Sequence, residues 1–151
     1  GDTAPDFKLY NTQKTEVSLA DYKGKNVVLL FYPFAFSGTC TTEMCTIRDH
    51  HSEYNNMNSV VLGISTDSVF TQIRFREEQK LNFELLSDFN RTVSKAYDVL
   101  YEEFVFGTKG VSKRAAFVVN KNRIIQYAEV LEKAGDQPDY AAIVHCLKGL
   151  N

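Results

Sequence analysis

The sequence predicts an α/β fold: a central mixed β-sheet flanked by helices, with an N-terminal β-hairpin, in a single domain over residues 1–151. Three observations predict it. Residues 26–32 and 59–65 are continuous β-branched, aliphatic and aromatic runs inside polar end residues, too short for helices, as strands buried on both faces require. A helical segment opened by a serine cap follows each of them, which is the pattern of a βαβ unit with parallel strands and a right-handed crossover. Residues 114–120 and 123–130 then pair across Lys121-Asn122 as an antiparallel hairpin, so the sheet is mixed. A chain of 151 residues can bury one core of useful size.

The remaining elements follow from punctuation along the chain. Residues 7–10 and 15–19 flank the polar stretch 11–14 and read as the N-terminal hairpin, covering one sheet edge. Ser18 caps a single turn through Tyr22 that stops at Gly24. Pro33 ends the first buried strand because proline offers no ladder donor, and Ser37 with Gly38 supplies the loop and cap of a helix over 39–55. A second helix spans 68–80 and a third spans 90–97, with a short strand between them. Pro138 opens the last helix, which runs to Gly149. Residues 101–111 form the one long irregular stretch and are expected to line a site. A strand handing over to a helix, closed by a ββα unit, is the pattern of the thioredoxin-like architecture.

Composition excludes several functions. Hydrophobic residues make up 44% and charged residues 24%, which suits a globular core and not a disordered chain. With a net charge of -2 there is no basic surplus for a phosphate backbone or an anionic membrane, so neither nucleic acid nor membrane is expected as a partner. The longest apolar run, from Val27 to Phe36, cannot span a bilayer, and no secretory signal pattern is seen, so a cytoplasmic location is expected. Three cysteines do not build a disulfide framework; they point to thiol chemistry or metal. Cys40, Cys45, His50 and His51 share one segment, but their spacing lacks the close ligand pairs of structural zinc sites, and neither metal nor cofactor is expected.

Cys40 falls where the first buried strand gives way to a helix. Unpaired amides and the positive end of the helix dipole favour a thiolate there, which makes Cys40 a candidate nucleophile, although a lone cysteine is more commonly a small core hydrophobe. A thiolate that cleaves a peroxide needs donors to polarise the O–O bond, a cation for the developing charge, and walls against bulk water. Ser37 is a possible donor as well as a plain N-cap, and Pro33 a possible wall as well as a strand terminator. Arg114 stands before the apolar run 115–119, either at an exposed strand end or turned toward the site. Glu43, three residues after Cys40, could fix the fork of an arginine or simply favour the helix N-terminus.

Pro33, Ser37 and Cys40 reproduce the Pro-x-x-x-Thr/Ser-x-x-Cys motif, and with Glu43, Asp2-Thr3-Ala4-Pro5-Asp6-Phe7, Leu86-Ser87-Asp88, Ala96-Tyr97 and Arg114-Ala115-Ala116-Phe117-Val118-Val119 the chain resembles the peroxiredoxins. It looks most like their bacterioferritin-comigratory-protein, or PrxQ, branch. The resemblance implies a thiol-dependent peroxidase for hydrogen peroxide and organic hydroperoxides. Cys40 is then the peroxidatic cysteine, oxidised to a sulfenic acid; Ser37 and Arg114 bind peroxide and Pro33 shields the sulfur. Two departures stand out: Ser37 where many members carry threonine, and the apolar loop Phe34-Ala35-Phe36.

Cys45 follows Cys40 by five residues, the spacing at which some PrxQ-like members keep a resolving cysteine. On an ideal helix the two α-carbons lie about 8.6 Å apart, whereas a disulfide needs roughly 4.4–6.8 Å. The intervening turn must therefore unwind if the two sulfurs join, and Thr41 and Thr42 are mediocre helix formers. Cys146 reads as a core residue of the last helix, with a resolving or intersubunit role as the lesser alternative. The resemblance implies recycling by a thioredoxin-like or other dithiol donor and a monomer or homodimer. The rival reading, a thiol–disulfide oxidoreductase or redox sensor on the same fold, lacks its usual Cys-x-x-Cys.

Overall fold

The computed structural model describes residues 1–150. Strands β1 (Lys8–Asn11) and β2 (Glu16–Ser18) form the N-terminal hairpin, its turn closed by Asn11, whose Oδ1 accepts from the amides of Gln13 and Thr15. A 3-10 turn, Leu19–Tyr22, follows, with the Ser18 amide donating to Asp21 Oδ2 at 2.8 Å. β3 (Asn26–Phe31), β4 (Ser59–Ser65) and β5 (Glu84–Ser87) are parallel, while β6 (Ala115–Val119) and β7 (Ile125–Val130) are antiparallel neighbours beyond β3. The seven strands form one mixed sheet in the order β2-β1-β5-β4-β3-β6-β7, so the hairpin extends the β5 edge as expected.

Among the described residues five helices cover the sheet: α1 (Gly38–Asp49), α2 (His51–Asn56), α3 (Val69–Gln79), α4 (Thr92–Ala96) and α5 (Tyr140–Gly149). The single helix expected over 39–55 is broken at His50. The imidazole Nδ1 of His50 engages the carbonyl of Thr46 at 2.9 Å, the acceptor its own amide would use in a continuing helix, and the amide turns to Ile47 O instead. α4 begins two residues later than expected because Arg91 adopts φ +67° and the Asp88 carboxylate accepts from the amides of Val93 and Ser94. Pro138 does not open α5: Asp139 caps it by accepting from the Ala142 amide, which leaves the proline just outside. The serine cap of α3 is as expected, with Ser68 Oγ accepting from the Thr71 amide.

Period-two alternation explains why β3 and β6 read as continuous apolar runs. Val28 and Leu30 with Ala116 and Val118 face one core, which Met44 and Ile47 of α1, Phe75 of α3, and Ile143 and Leu147 of α5 complete. Val27, Leu29 and Phe31 with Phe117 and Val119 face the other, under Val93, Tyr97 and Leu19. Gly63 in β4 leaves room for its neighbours Leu85 and Tyr32, since a Cβ there would lie 2.7 Å from Leu85 Cδ2 and 3.3 Å from Tyr32 Cε1. Among the described residues no helix is long and apolar enough to cross a membrane.

Candidate active site

The buried strand β3 delivers the chain at Tyr32 and Pro33 to the top of the sheet, next to the end of β4. The loop that follows is held from below. Asp67 Oδ2 accepts from the Ala35 amide at 2.8 Å and from Ser65 Oγ at 2.7 Å, and Phe36, at φ +71°, turns the chain into α1 while its ring rests on Phe75. Ser37 is the N-cap residue, its carbonyl accepting from the Thr41 amide at 2.9 Å. Its hydroxyl does not cap the helix. Ser37 Oγ donates instead to Phe34 O at 3.0 Å, the carbonyl three residues back.

Cys40 is the third residue of α1 and fully buried. Its sulfur accepts a hydrogen bond from Arg114 Nη2 at 3.2 Å. Arg114, only 1% exposed, precedes β6, and because β6 lies beside β3 its side chain arrives over the first turn of α1. Three further bonds hold the guanidinium: Nη1 to Glu43 Oε1 at 2.6 Å, and Nε and Nη2 to Ala134 O at 3.3 and 3.1 Å. The even choice left by the sequence is thus resolved inward, with Glu43 as the carboxylate that fixes the fork.

The electrostatics follow from burial. Glu43 is completely enclosed, and desolvation pushes its carboxyl from 4.5 up to about 7 against the opposing pull of Arg114. Its second oxygen, Oε2, is buried with no hydrogen-bond partner. For Arg114 burial works against the charge, yet Glu43 and Cys40 outweigh it and the guanidinium titrates above its ordinary value.

A cleft of about 300 Å³ opens onto this group, lined by Pro33, Phe34, Ser37, Thr39, Phe104 and Arg114 among others. The irregular stretch 101–111 supplies one wall, as expected. Phe104 stacks on Tyr101, with centroids 4.4 Å apart, and lies 6.0 Å from the Phe34 ring. Pro33, Ser37, Cys40, Glu43 and Arg114 are therefore brought together. Cys45 lies one turn further along α1, half-buried, its thiol donating to Gln79 Oε1 at 3.4 Å. All three cysteines are free, and Cys146, on α5, packs at the border of the core, where burial raises its thiol. His50 and His51 join no cluster of three or more metal-ligating side chains among the described residues.

Sequence reasoning missed the loop between β7 and α5. Ala134 O anchors Arg114, and Gln137 Nε2 donates to Thr39 O in the first turn of α1. The only sequence signal there was Pro138, which marks a helix start but not the path of the loop across the site.

A buried thiol in the first helical turn, bridged by a guanidinium to an equally buried carboxylate on a thioredoxin-like sheet, defines a redox-thiol centre. The chain belongs to the AhpC/TSA family, whose profile matches residues 1–128. It is 40% identical over 133 residues to alkyl hydroperoxide reductase E of Mycobacterium tuberculosis, covering 86% of this chain and 84% of that one. It is 34% identical to the chloroplastic 2-Cys peroxiredoxin BAS1 of Spinacia oleracea, with 86% of this chain covered; the chain spans about half, 51%, of that relative's length. The crystal structure of peroxidoxin BcpB from Mycobacterium tuberculosis superposes with a TM-score of 0.89 at 31% identity, over 100% of this chain and 97% of the other.

Proposed function

We propose that this chain is a thiol-dependent peroxidase that reduces hydrogen peroxide and organic hydroperoxides with Cys40 as nucleophile. The observation that carries the reading is the bridge of Arg114 between Cys40 Sγ and Glu43 Oε1, at 3.2 and 2.6 Å, in a fully buried setting beside a cleft. The peroxide enters past Pro33 and Phe34, and the Cys40 thiolate attacks its terminal oxygen. An S–O bond forms as the O–O bond breaks, the sulfur is oxidised to a sulfenic acid, and the alkoxide or hydroxide leaves with the electron pair and takes up a proton. Arg114 holds the negative charge as it passes from sulfur to the leaving oxygen. The Ser37 hydroxyl, now turned to Phe34 O, needs only a rotation about χ1 to donate to the peroxide.

In the second half of the cycle the Cys45 thiol attacks the Cys40 sulfenic acid, forming the disulfide and releasing water. A thioredoxin-like or other dithiol donor then reduces that disulfide by exchange. Turnover of this kind requires a reducing compartment, which supports a cytoplasmic location. One domain over residues 1–151, as a monomer or homodimer, suffices for this cycle.

Stopped-flow mixing with hydrogen peroxide tests the reading. Fast sulfenate formation, lost in Cys40→Ser, is expected, followed by a Cys40–Cys45 disulfide in mass spectra. A wild-type reaction no faster than free cysteine would sink the peroxidase, and a Cys40–Cys146 link would sink the role of Cys45.

A further inference from the structure

The loop from Leu131 to Asp139 ties both halves of the site together. Its start is fastened to Arg114, through Leu131 N–H to Arg114 O at 2.9 Å and the Ala134 carbonyl to the guanidinium. Its end is fastened to α1. Gln137 Nε2 donates at 3.1 Å to Thr39 O, the carbonyl immediately before Cys40, and Gln137 Oε1 accepts from Tyr140 Oη at 2.5 Å. The Tyr140 phenol is held protonated, its pKa raised first by burial and then by the charge of Glu43. The Thr39 carbonyl can only accept, which fixes the Gln137 amide with its NH₂ toward Thr39 and leaves Oε1 to accept from the phenol.

Within a helix the Thr39 carbonyl already accepts the amide of residue 43, so Gln137 occupies its second lone pair. That bond does nothing for the thiol directly. It resists displacement of the one peptide unit that must swing out when Cys40 leaves its turn to reach Cys45. We infer that Gln137, oriented by Tyr140, is a positioning residue that latches the first turn of α1 and sets the rate at which the oxidised Cys40 is released for disulfide formation. The inference rests on the proposed role of Cys40 and Cys45, and it adds a residue outside the nucleophile's own motif.

Two variants test it. Gln137→Glu keeps the shape but offers no donor at neutral pH, and Gln137→Ala removes the arm altogether. Losing a single neutral hydrogen bond should speed disulfide formation by about two- to tenfold, while sulfenate formation stays within about twofold. In the reduced protein the amides of residues 40–44 should exchange with deuterium faster by a similar factor, and Tyr140→Phe should move both quantities in the same direction by less. Unchanged exchange at those amides in both Gln137 variants would overturn the latch. Exchange is read without any peroxide, so it decides the latch even if the wild-type chain forms no sulfenate, an outcome that would instead defeat the peroxidase reading.

Discussion

Glu43→Gln should make the protein more stable at neutral pH, and the gain should vanish in acid. Glu43 is completely buried, with one oxygen on Arg114 and the other without a partner. Desolvation raises its carboxyl from 4.5 to about 7 in the fold. Between those values the folded chain binds the proton more tightly than the unfolded chain does. The contribution of Glu43 to stability is therefore greatest below pH 4.5, falls as pH rises, and levels off above pH 7.

The interval from 4.5 to about 7 is worth about 3 kcal/mol at about 1.36 kcal/mol per pH unit, most of it traversed between pH 5 and pH 8. Glutamine does not titrate and keeps an acceptor for Arg114. The stability difference between variant and wild type should shift toward the variant by most of that amount over the same range. Urea unfolding at pH 5 and pH 8, followed by far-UV circular dichroism because the chain has no tryptophan, measures it. A difference that does not change with pH, or one that shifts toward the wild type, would show that the attraction of Arg114 outweighs desolvation and refute the reasoning.

Arg114→Lys should slow sulfenate formation by about 10- to 100-fold in stopped-flow, because an ammonium cannot reach Cys40, Glu43 and Ala134 together and lost bonds to charged partners cost about 1.5–3 kcal/mol; a drop under threefold would count against the guanidinium bridge. Ser37→Ala should lower the same rate constant by about three- to tenfold with under about 1 kcal/mol of lost stability, since only the bond to Phe34 O is removed from the resting fold. Phe104→Ala removes the ring between Tyr101 and Phe34 and should reduce kcat/KM for a bulky apolar hydroperoxide about fivefold more than for hydrogen peroxide, the worth of about 1 kcal/mol of lost apolar contact. Equal losses for the two peroxides would mean that the cleft wall does not touch the substrate's tail.

The parts of the fold that the sequence disclosed are those where one local pattern has a single stable use. Residues 27–31 and 60–64 carry no polar side chain, and only a strand buried on both faces satisfies that at such a length. The Pro33, Ser37 and Cys40 spacing was legible for the same reason, being confined to one loop and one turn. Arg114 was not, because whether its guanidinium points inward depends on Glu43, which is 71 positions away and becomes its neighbour only when β6 pairs with β3. The break at His50 escaped for a subtler reason: an imidazole competing for the Thr46 carbonyl leaves no trace in hydrophobic periodicity. Gln137 was invisible for both reasons, a polar residue in a loop whose target lies 98 positions away.

Charge accounting links the buried trio to the opening of the helix. Above about pH 7, where Glu43 is ionised, one guanidinium on the proposed reading faces two anions, the Glu43 carboxylate and the Cys40 thiolate, and Glu43 Oε2 has no hydrogen-bond partner among the described residues. Attack on a peroxide removes one of those anions, since the sulfenic acid is neutral and the charge departs with the leaving oxygen. The excess negative charge of a water-poor site is thus relieved by the chemical step itself, and that relief favours the transition state over the ground state. The same event weakens the hold on the nucleophile. The bond from Arg114 to sulfur loses its charge assistance once the sulfur is neutral, while the bonds to Glu43 and Ala134 persist and keep the arginine in place. Oxidation therefore loosens Cys40 from a guanidinium that stays where it was, leaving the backbone of the first turn, with Gln137 on Thr39 O, as the restraint still to be broken before Cys45 can be reached.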